Sequence, residues 1–208
     1  CYANTNVKIA ASYAGLSDFK DGPTHFAVTD IANMRALPNM TVIVPCDAGQ
    51  AADFVRLVAE FEGPVYLRIN RGSTLPVHQP GSELKIGKGI LRKEGGDLTI
   101  IATGSMVGRA LLAAQELENE GIQARVVEIH TIKPLDREII LQAAEETGAL
   151  VTAEEHARFG GLGSAVAELL VETNPVPMER VGIGDAFCPT GRNVDTLLDT
   201  CGLSVTDI

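Results

Sequence analysis

Short runs of β-branched and aliphatic residues alternate with longer stretches of helical spacing along almost the whole chain, and this alternation limits the fold more than any other feature. Residues 7–12, 41–44 and 65–69 read as strands, with helical spacing at 26–37 and from Asp47 to Phe61. Asp47 can cap the second of these helices by accepting from free first-turn amides. Gly63-Pro64 stops it. Periodicity then vanishes from Gly72 to Glu83, which reads as a linker rich in Gly, Ser, Thr and Pro. The alternation restarts with strands at 98–102, 125–129, 150–153 and 179–183, and helices at 105–120, 136–147, 163–173 and 193–200. Strand–helix–strand order of this kind predicts an α/β fold: two parallel-sheet units, residues 1–78 and 79–208, with helices on both sheet faces. The first unit is too short for a whole doubly wound domain, and Ser204–Ile208 looks like the cap of a further helix.

Composition removes several classes of function. The 208 residues carry 17 Lys and Arg against 27 Asp and Glu, a net charge of −10. A field of that sign repels phosphate backbones and anionic membranes, so nucleic acid and membrane are not expected partners. No stretch approaches the roughly 20 apolar residues of a membrane span. At 45% hydrophobic and regularly patterned, the chain is not disordered, and with no tryptophan and 4% aromatics its core is aliphatic. Cys1, Cys46, Cys188 and Cys201 form no CxxC pair and no metal-ligand spacing with a histidine. They read as scattered, unpaired thiols of a reducing cytoplasm, and no metal site is expected.

The most unusual segment is the loop Ala14–His25, AGLSDFKDGPTH, beyond the carboxyl end of the first strand, where α/β sheets place ligands. Two readings stand. Asp21 and Thr24 cap the following helix, or Asp21 and His25 face a pocket together, one fixing a hydroxyl and the other exchanging a proton. Arg68 and Arg71 form a basic strand end (LRINRGS). They are either solvated surface arginines or, beside the Asp/His loop, a guanidinium clamp for phosphate. Arg35 reads as a helix-surface ion pair. GGLGS at 160–164 opens a helix without the dinucleotide spacing, and reads as tight packing. His130 and His156 read as satisfied structural histidines, and His78 as exposed.

Taken together, KIAASYAGLS (8–17), DGPTHFAVTDIANMRALPNMTVIVPCDA (21–48), YLRINRG (66–72), HTIKPLD (130–136) and EEHARFGGLGS (154–164) resemble the carboxyl-terminal part of a transketolase whose catalytic chain is split into two subunits. The resemblance implies that residues 1–78 are the back part of the pyrimidine-binding domain and 79–208 the transketolase C-terminal domain. It implies thiamine diphosphate with Mg2+ as cofactor and an amino-terminal subunit or domain as partner, in a homodimer or heterotetramer. It also implies transfer of a two-carbon ketol unit from a ketose phosphate to an aldose phosphate, the cofactor carrying the carbanion chemistry. By resemblance, Asp21 and His25 are catalytic, His25 lies near the cofactor, and Arg71 grips the sugar phosphate. Tyr13 stands where many relatives place a substrate-contacting histidine; a phenol donates a hydrogen bond but carries no charge. Asp18-Phe19-Lys20 and Phe26 also depart from the usual Val-Gly-Glu and Gln, which bears on substrate choice. The activating glutamate, the aromatics that stack on the aminopyrimidine and the GDG diphosphate motif are expected outside the chain. The alternatives are a 1-deoxy-D-xylulose-5-phosphate synthase-like enzyme and a non-catalytic assembly subunit.

Overall fold

The computed structural model describes residues 1–72 and 74–208; Ser73, within the expected linker, lies outside them. Nine strands and six helices follow in the order β1 (Lys8–Ala11), α1 (Asp30–Arg35), β2 (Thr41–Ile43), α2 (Ala48–Glu60), β3 (Val65–Arg68), β4 (Ile90–Lys93), β5 (Leu98–Ala102), α3 (Met106–Asn119), β6 (Ala124–Glu128), β7 (Thr131–Lys133), α4 (Arg137–Thr147), β8 (Leu150–Ala157), α5 (Leu162–Val171), β9 (Met178–Ile183) and α6 (Val194–Thr200) among the described residues. They build two mostly parallel sheets, ordered β1-β3-β2-β7 and β4-β6-β5-β8-β9.

Each sheet ends in one antiparallel strand that hydrophobic periodicity does not predict. β7 pairs antiparallel with β2, and β4 with β6. The short first sheet is thus completed by a strand from beyond the linker. The apolar core follows the same plan. Ile31, Val42 and Tyr66 of the first unit share one cluster with Ile101, Ile132, Ile140 and Leu162 of the second. The linker is also tied down. Asp47 caps α2 through the Gln50 amide (2.8 Å), while its other oxygen accepts from the amides of Val77 and His78, both at 2.7 Å. His78 is therefore buried, contrary to expectation, with Nε2 2.9 Å from Asp53. A second correction concerns the cysteines: Cys188 and Cys201 are joined as a disulfide, leaving Cys1 and Cys46 free.

Between the two sheets runs a buried polar seam centred on Glu154, Glu155 and His156 of β8. Side chains alternate along a strand, so Glu154 and His156 share one face and Glu155 takes the other. Glu154 accepts from the amides of Leu162 (2.7 Å) and Gly163 (2.8 Å), which caps α5. The acceptor that the free amides of a helix amino terminus need is here the chain's own carboxyl group. A Cβ on Gly161 would come within 2.0 Å of that carboxylate, so the glycine run serves close packing as expected. His156 accepts the Ala32 amide at Nε2 (3.3 Å) and meets the Ala157 carbonyl through Nδ1 (2.7 Å). It takes over the first turn of α1, where Thr29 supplies no side-chain cap. His156 is a satisfied structural histidine, whereas His130 is only half satisfied: Nδ1 meets Thr131 Oγ1 at 2.8 Å and Nε2 has no partner.

Arg68 belongs to this seam and not to the surface. It is 3% exposed and bonds Asp30 through Nε (2.7 Å), with Nη2 donating to the Ala27 (2.7 Å) and Glu155 (3.1 Å) carbonyls. Tyr66 also donates to Asp30, at 2.7 Å. Burial raises the Asp30 carboxyl, but the Arg68 charge and these hydrogen bonds outweigh it and hold the group below the usual aspartate range.

Two outcomes follow from the seam. Asp30→Ala strands the buried guanidinium and is expected to cost about 3 kcal/mol in denaturant unfolding. Because the Asp30 pKa is depressed by folding, its stabilisation is present above about pH 4 and lost as pH falls through the folded value; Asp30→Asn removes that part of the acid limb. Burial pushes the Glu154 carboxyl up to about 7. A raised carboxyl stabilises the fold below its unfolded value, near 4.3, and that contribution is lost as pH rises through about 7. Carbon-detected NMR titration is expected to place the Glu154 midpoint near neutrality; a midpoint near 4 contradicts the assignment.

Candidate active-site loop

β1 and β3 are parallel neighbours with Ala11 opposite Arg68. Tyr13 and Arg71 therefore leave the sheet side by side at its carboxyl edge. The chain turns sharply there, with Tyr13 at φ +64° and Gly15 at φ +59°. An aromatic residue in the left-handed region is held against its own preference, at a cost of order 1–3 kcal/mol, so its surroundings must fix it. They do so by hydrogen bonds: the Ala14 amide reaches the Ile69 carbonyl (3.1 Å), and Gly15 and Ala27 exchange backbone bonds at 3.0 and 3.2 Å. The Leu16 amide then donates to Glu155 Oε1 at 2.6 Å. Glu155 also accepts from Asn70 Nδ2 (3.3 Å) and from Ser105 Oγ. A Cβ on Gly15 would lie 2.3 Å from Glu155 Oε1, so only glycine fits beneath this carboxylate. Further along, the Gly191 amide donates to the Phe19 carbonyl at 2.8 Å, which braces the loop on the second unit.

The loop's tip carries Asp21, Thr24 and His25, all exposed. A turn closes with the His25 amide on the Gly22 carbonyl (2.9 Å), and Thr24 Oγ1 meets His25 Nδ1 at 3.0 Å. Helix α1 begins only at Asp30, so Asp21 and Thr24 do not cap it. The reason is the Gly15–Ala27 pairing, which holds the chain extended where helical spacing begins. The structure also makes no direct bond between Asp21 and His25.

The side chains it does bring together are Arg71, Tyr13 and Asp18. The Arg71 guanidinium lies 4.9 Å from the centre of the Tyr13 ring and bonds Asp18 through Nη1. Arg71 is half exposed (52%), whereas the Asp18 side chain is buried (5%). Stacking of a guanidinium on a phenol is worth about 0.5–1 kcal/mol at an exposed site and orients the fork. Sequence reasoning registers Asp18 only as a departure from a pattern. The usable signal was an acid on a loop leaving β1 and an arginine at the end of β3. Arg35 pairs with Glu168 of α5 and donates to the Gly160 carbonyl, so it bridges elements.

Beside the loop, a cavity of about 230 Å³ opens at the carboxyl ends of β2 and β3, lined by residues including Cys46, Asp47, Arg68 and Asn70. Cys46 is no nucleophile here, because burial and the nearby Glu128 charge push its thiol well above the ordinary range. Among the described residues, no three His, Cys, Asp or Glu side chains cluster so as to hold a metal ion. Among the described residues, no helix is long and apolar enough to cross a membrane.

Comparison with known proteins places this geometry. Residues 1–76 match the transketolase pyrimidine binding domain and residues 87–208 the transketolase C-terminal domain. The 6-deoxy-6-sulfo-D-fructose transketolase subunit SqwH of Clostridium sp. (strain MSTE9) is 45% identical over 208 residues, covering 100% of this chain and 64% of that protein. The 1-deoxy-D-xylulose-5-phosphate synthase 1 of Geobacter sulfurreducens is 40% identical over 212 residues, covering 98% of this chain and 33% of that protein. A solved structure described as a split gene transketolase, inactive beta4 tetramer, superposes with a TM-score of 0.91 at 48% identity, covering 100% of this chain and 66% of that one. The chain spans less than two thirds of the length of each of these relatives. With both domain families matched in order and the sheets superposing throughout, the chain belongs to the transketolase family.

Proposed function

We propose that this chain is the substrate-gripping part of a thiamine-diphosphate-dependent ketol transferase. It works with an amino-terminal subunit or domain that supplies the diphosphate and metal site, in a homodimer or heterotetramer. The observation that carries the reading is the Tyr13–Arg71–Asp18 group at the same sheet edge as the exposed Asp21 and His25. The cofactor supplies the carbon–carbon chemistry when bound. This chain's residues hold the sugar. Arg71 takes the anionic end of the substrate, phosphate in the sugar phosphates, because a guanidinium offers several donors to one anion. Asp21 accepts from a substrate hydroxyl. His25 has Nδ1 engaged by Thr24, which leaves Nε2 for proton exchange with a substrate oxygen. Tyr13 sets the plane of the guanidinium and adds a phenolic donor. The SqwH relative, named for a sulfo-sugar, supports a sugar substrate whose terminal anion differs between family members. The Geobacter relative favours one alternative, with pyruvate as donor; release of labelled carbon dioxide from pyruvate identifies that case.

Two variants of the assembly reconstituted with its partner test the reading. Arg71→Ala is expected to raise KM for substrates with an anionic terminus by about 10- to 100-fold, the value of one charge-assisted hydrogen bond. Its melting temperature is expected to fall as well, because the variant leaves the buried Asp18 carboxylate without its partner, so KM is measured at a temperature where the variant stays folded. Unchanged KM with lowered stability makes Arg71 structural. Asp21→Ala is expected to reduce kcat with the fold intact; full turnover in that variant excludes Asp21 from the chemistry.

A further inference from the structure

We infer that Asp18 fixes the charge this site accepts: the anion held at Arg71 is singly charged, and a phosphate dianion is disfavoured. This rests on the sugar-binding reading above and names the substrate class within it. Asp18 is 4% exposed and already bonded to Nη1 of Arg71. A surface carboxylate could swing into water and release the guanidinium to a ligand. A buried one cannot, because breaking the pair leaves an uncompensated charge inside the protein. The incoming anion must therefore share Arg71 with Asp18 and lie within a few ångströms of a fixed negative charge. With Nη1 occupied and the guanidinium carbon 4.9 Å from the centre of the Tyr13 ring, the ligand meets the part of the guanidinium that these two partners leave open. Asp21, exposed on the same loop, adds a second carboxylate. Two other cations stand by the loop, Lys20, whose Nζ lies 5.6 Å from the Phe19 ring, and exposed Arg192, next to the Gly191 that bonds Phe19; the Asp18 carboxylate pairs with Arg71. Arg71 and Asp18 together carry no net charge, so attraction and repulsion largely cancel for an anion of either charge. The cost of stripping the ligand's water rises with the square of its charge, and weighs more on a dianion than on a sulfonate or a phosphate monoanion.

Binding separates this inference from the ketol-transfer reading, because it does not require turnover. The assembled protein is titrated calorimetrically with methanesulfonate and with methyl phosphate between pH 5 and 8, with Arg71→Ala as the site control. Methyl phosphate takes its second charge near pH 6. Its affinity is expected to fall as pH rises through that value, while methanesulfonate affinity stays level. Asp18→Asn keeps an acceptor for Nη1 and removes the charge, and is expected to restore dianion binding about tenfold and to strengthen methanesulfonate only about threefold, half the free energy for half the charge. The inference is overturned if methyl phosphate tightens as it becomes a dianion on the unmodified protein. It is equally overturned if Asp18→Asn weakens both anions together, which makes Asp18 a positioning residue, or if neither anion binds in an Arg71-dependent way. If the anions bind in the expected order but no sugar pair exchanges a ketol unit, the inference stands and the ketol-transfer reading fails. The pH series on the unmodified protein decides the matter even if the Asp18 variant does not fold.

Discussion

Three consecutive side chains of β8 join what the rest of the molecule brings near. Glu154 caps α5, His156 receives the first turn of α1, and Glu155, on the opposite face, holds the start of the Tyr13–His25 loop through the Leu16 amide. Glu154 does so from the preceding strand, whereas His156 and Glu155 reach elements more than 120 residues away in sequence. The arrangement requires burial of two carboxylates and an imidazole, which is tolerable only because backbone amides, Ser105, Asn70 and the nearby Arg68 surround them. The same burial makes the seam a point of cooperativity. The loop at the edge of the first sheet is positioned by β8, an interior strand of the second.

That dependence explains how the site is organised. A loop leaving a strand end is ordinarily free to move, and a tyrosine at φ +64° would relax if released. Here the Glu155 contact and the brace from Gly191 to Phe19 hold the loop's base and flank, while its tip, with Asp21 and His25, stays exposed. A firm base with an open tip suits a surface that meets substrate and a partner subunit together. The charges follow the same division. Asp18 is buried beside the base and paired, and Asp21 is exposed at the tip.

Much of this was legible in the sequence, for identifiable reasons. β5 spans Leu98–Ala102 as its β-branched run predicts, and Asp47 caps α2 as an aspartate before a helix should. The family resemblance rested on runs such as DGPTHF and EEHARFGGLGS, in which loop glycines and buried acids are tightly constrained. What escaped were features that exist only through remote contacts. β7 is three residues long and reads as a strand only when β2 lies alongside it. Alternation placed Arg68 opposite an apolar face, but could not show that the opposite face is covered by β8. His78 looked like a linker residue because Asp47 and Asp53, which bury it, lie more than 20 residues away. The Cys188–Cys201 pairing likewise joins a loop to the end of α6. Asp18 was visible as a departure, but its role needed the position of Arg71.

The central claim is that Glu155 of the second unit holds the candidate active-site loop of the first. Hydrogen exchange by mass spectrometry on the unmodified chain and on Glu155→Ala tests it directly. Peptides covering residues 13–25 and 68–71 are expected to lose protection together in the variant, with β5 and β6 unchanged. If the loop keeps its protection while β8 itself loosens, the loop is held from within its own unit and the account is wrong.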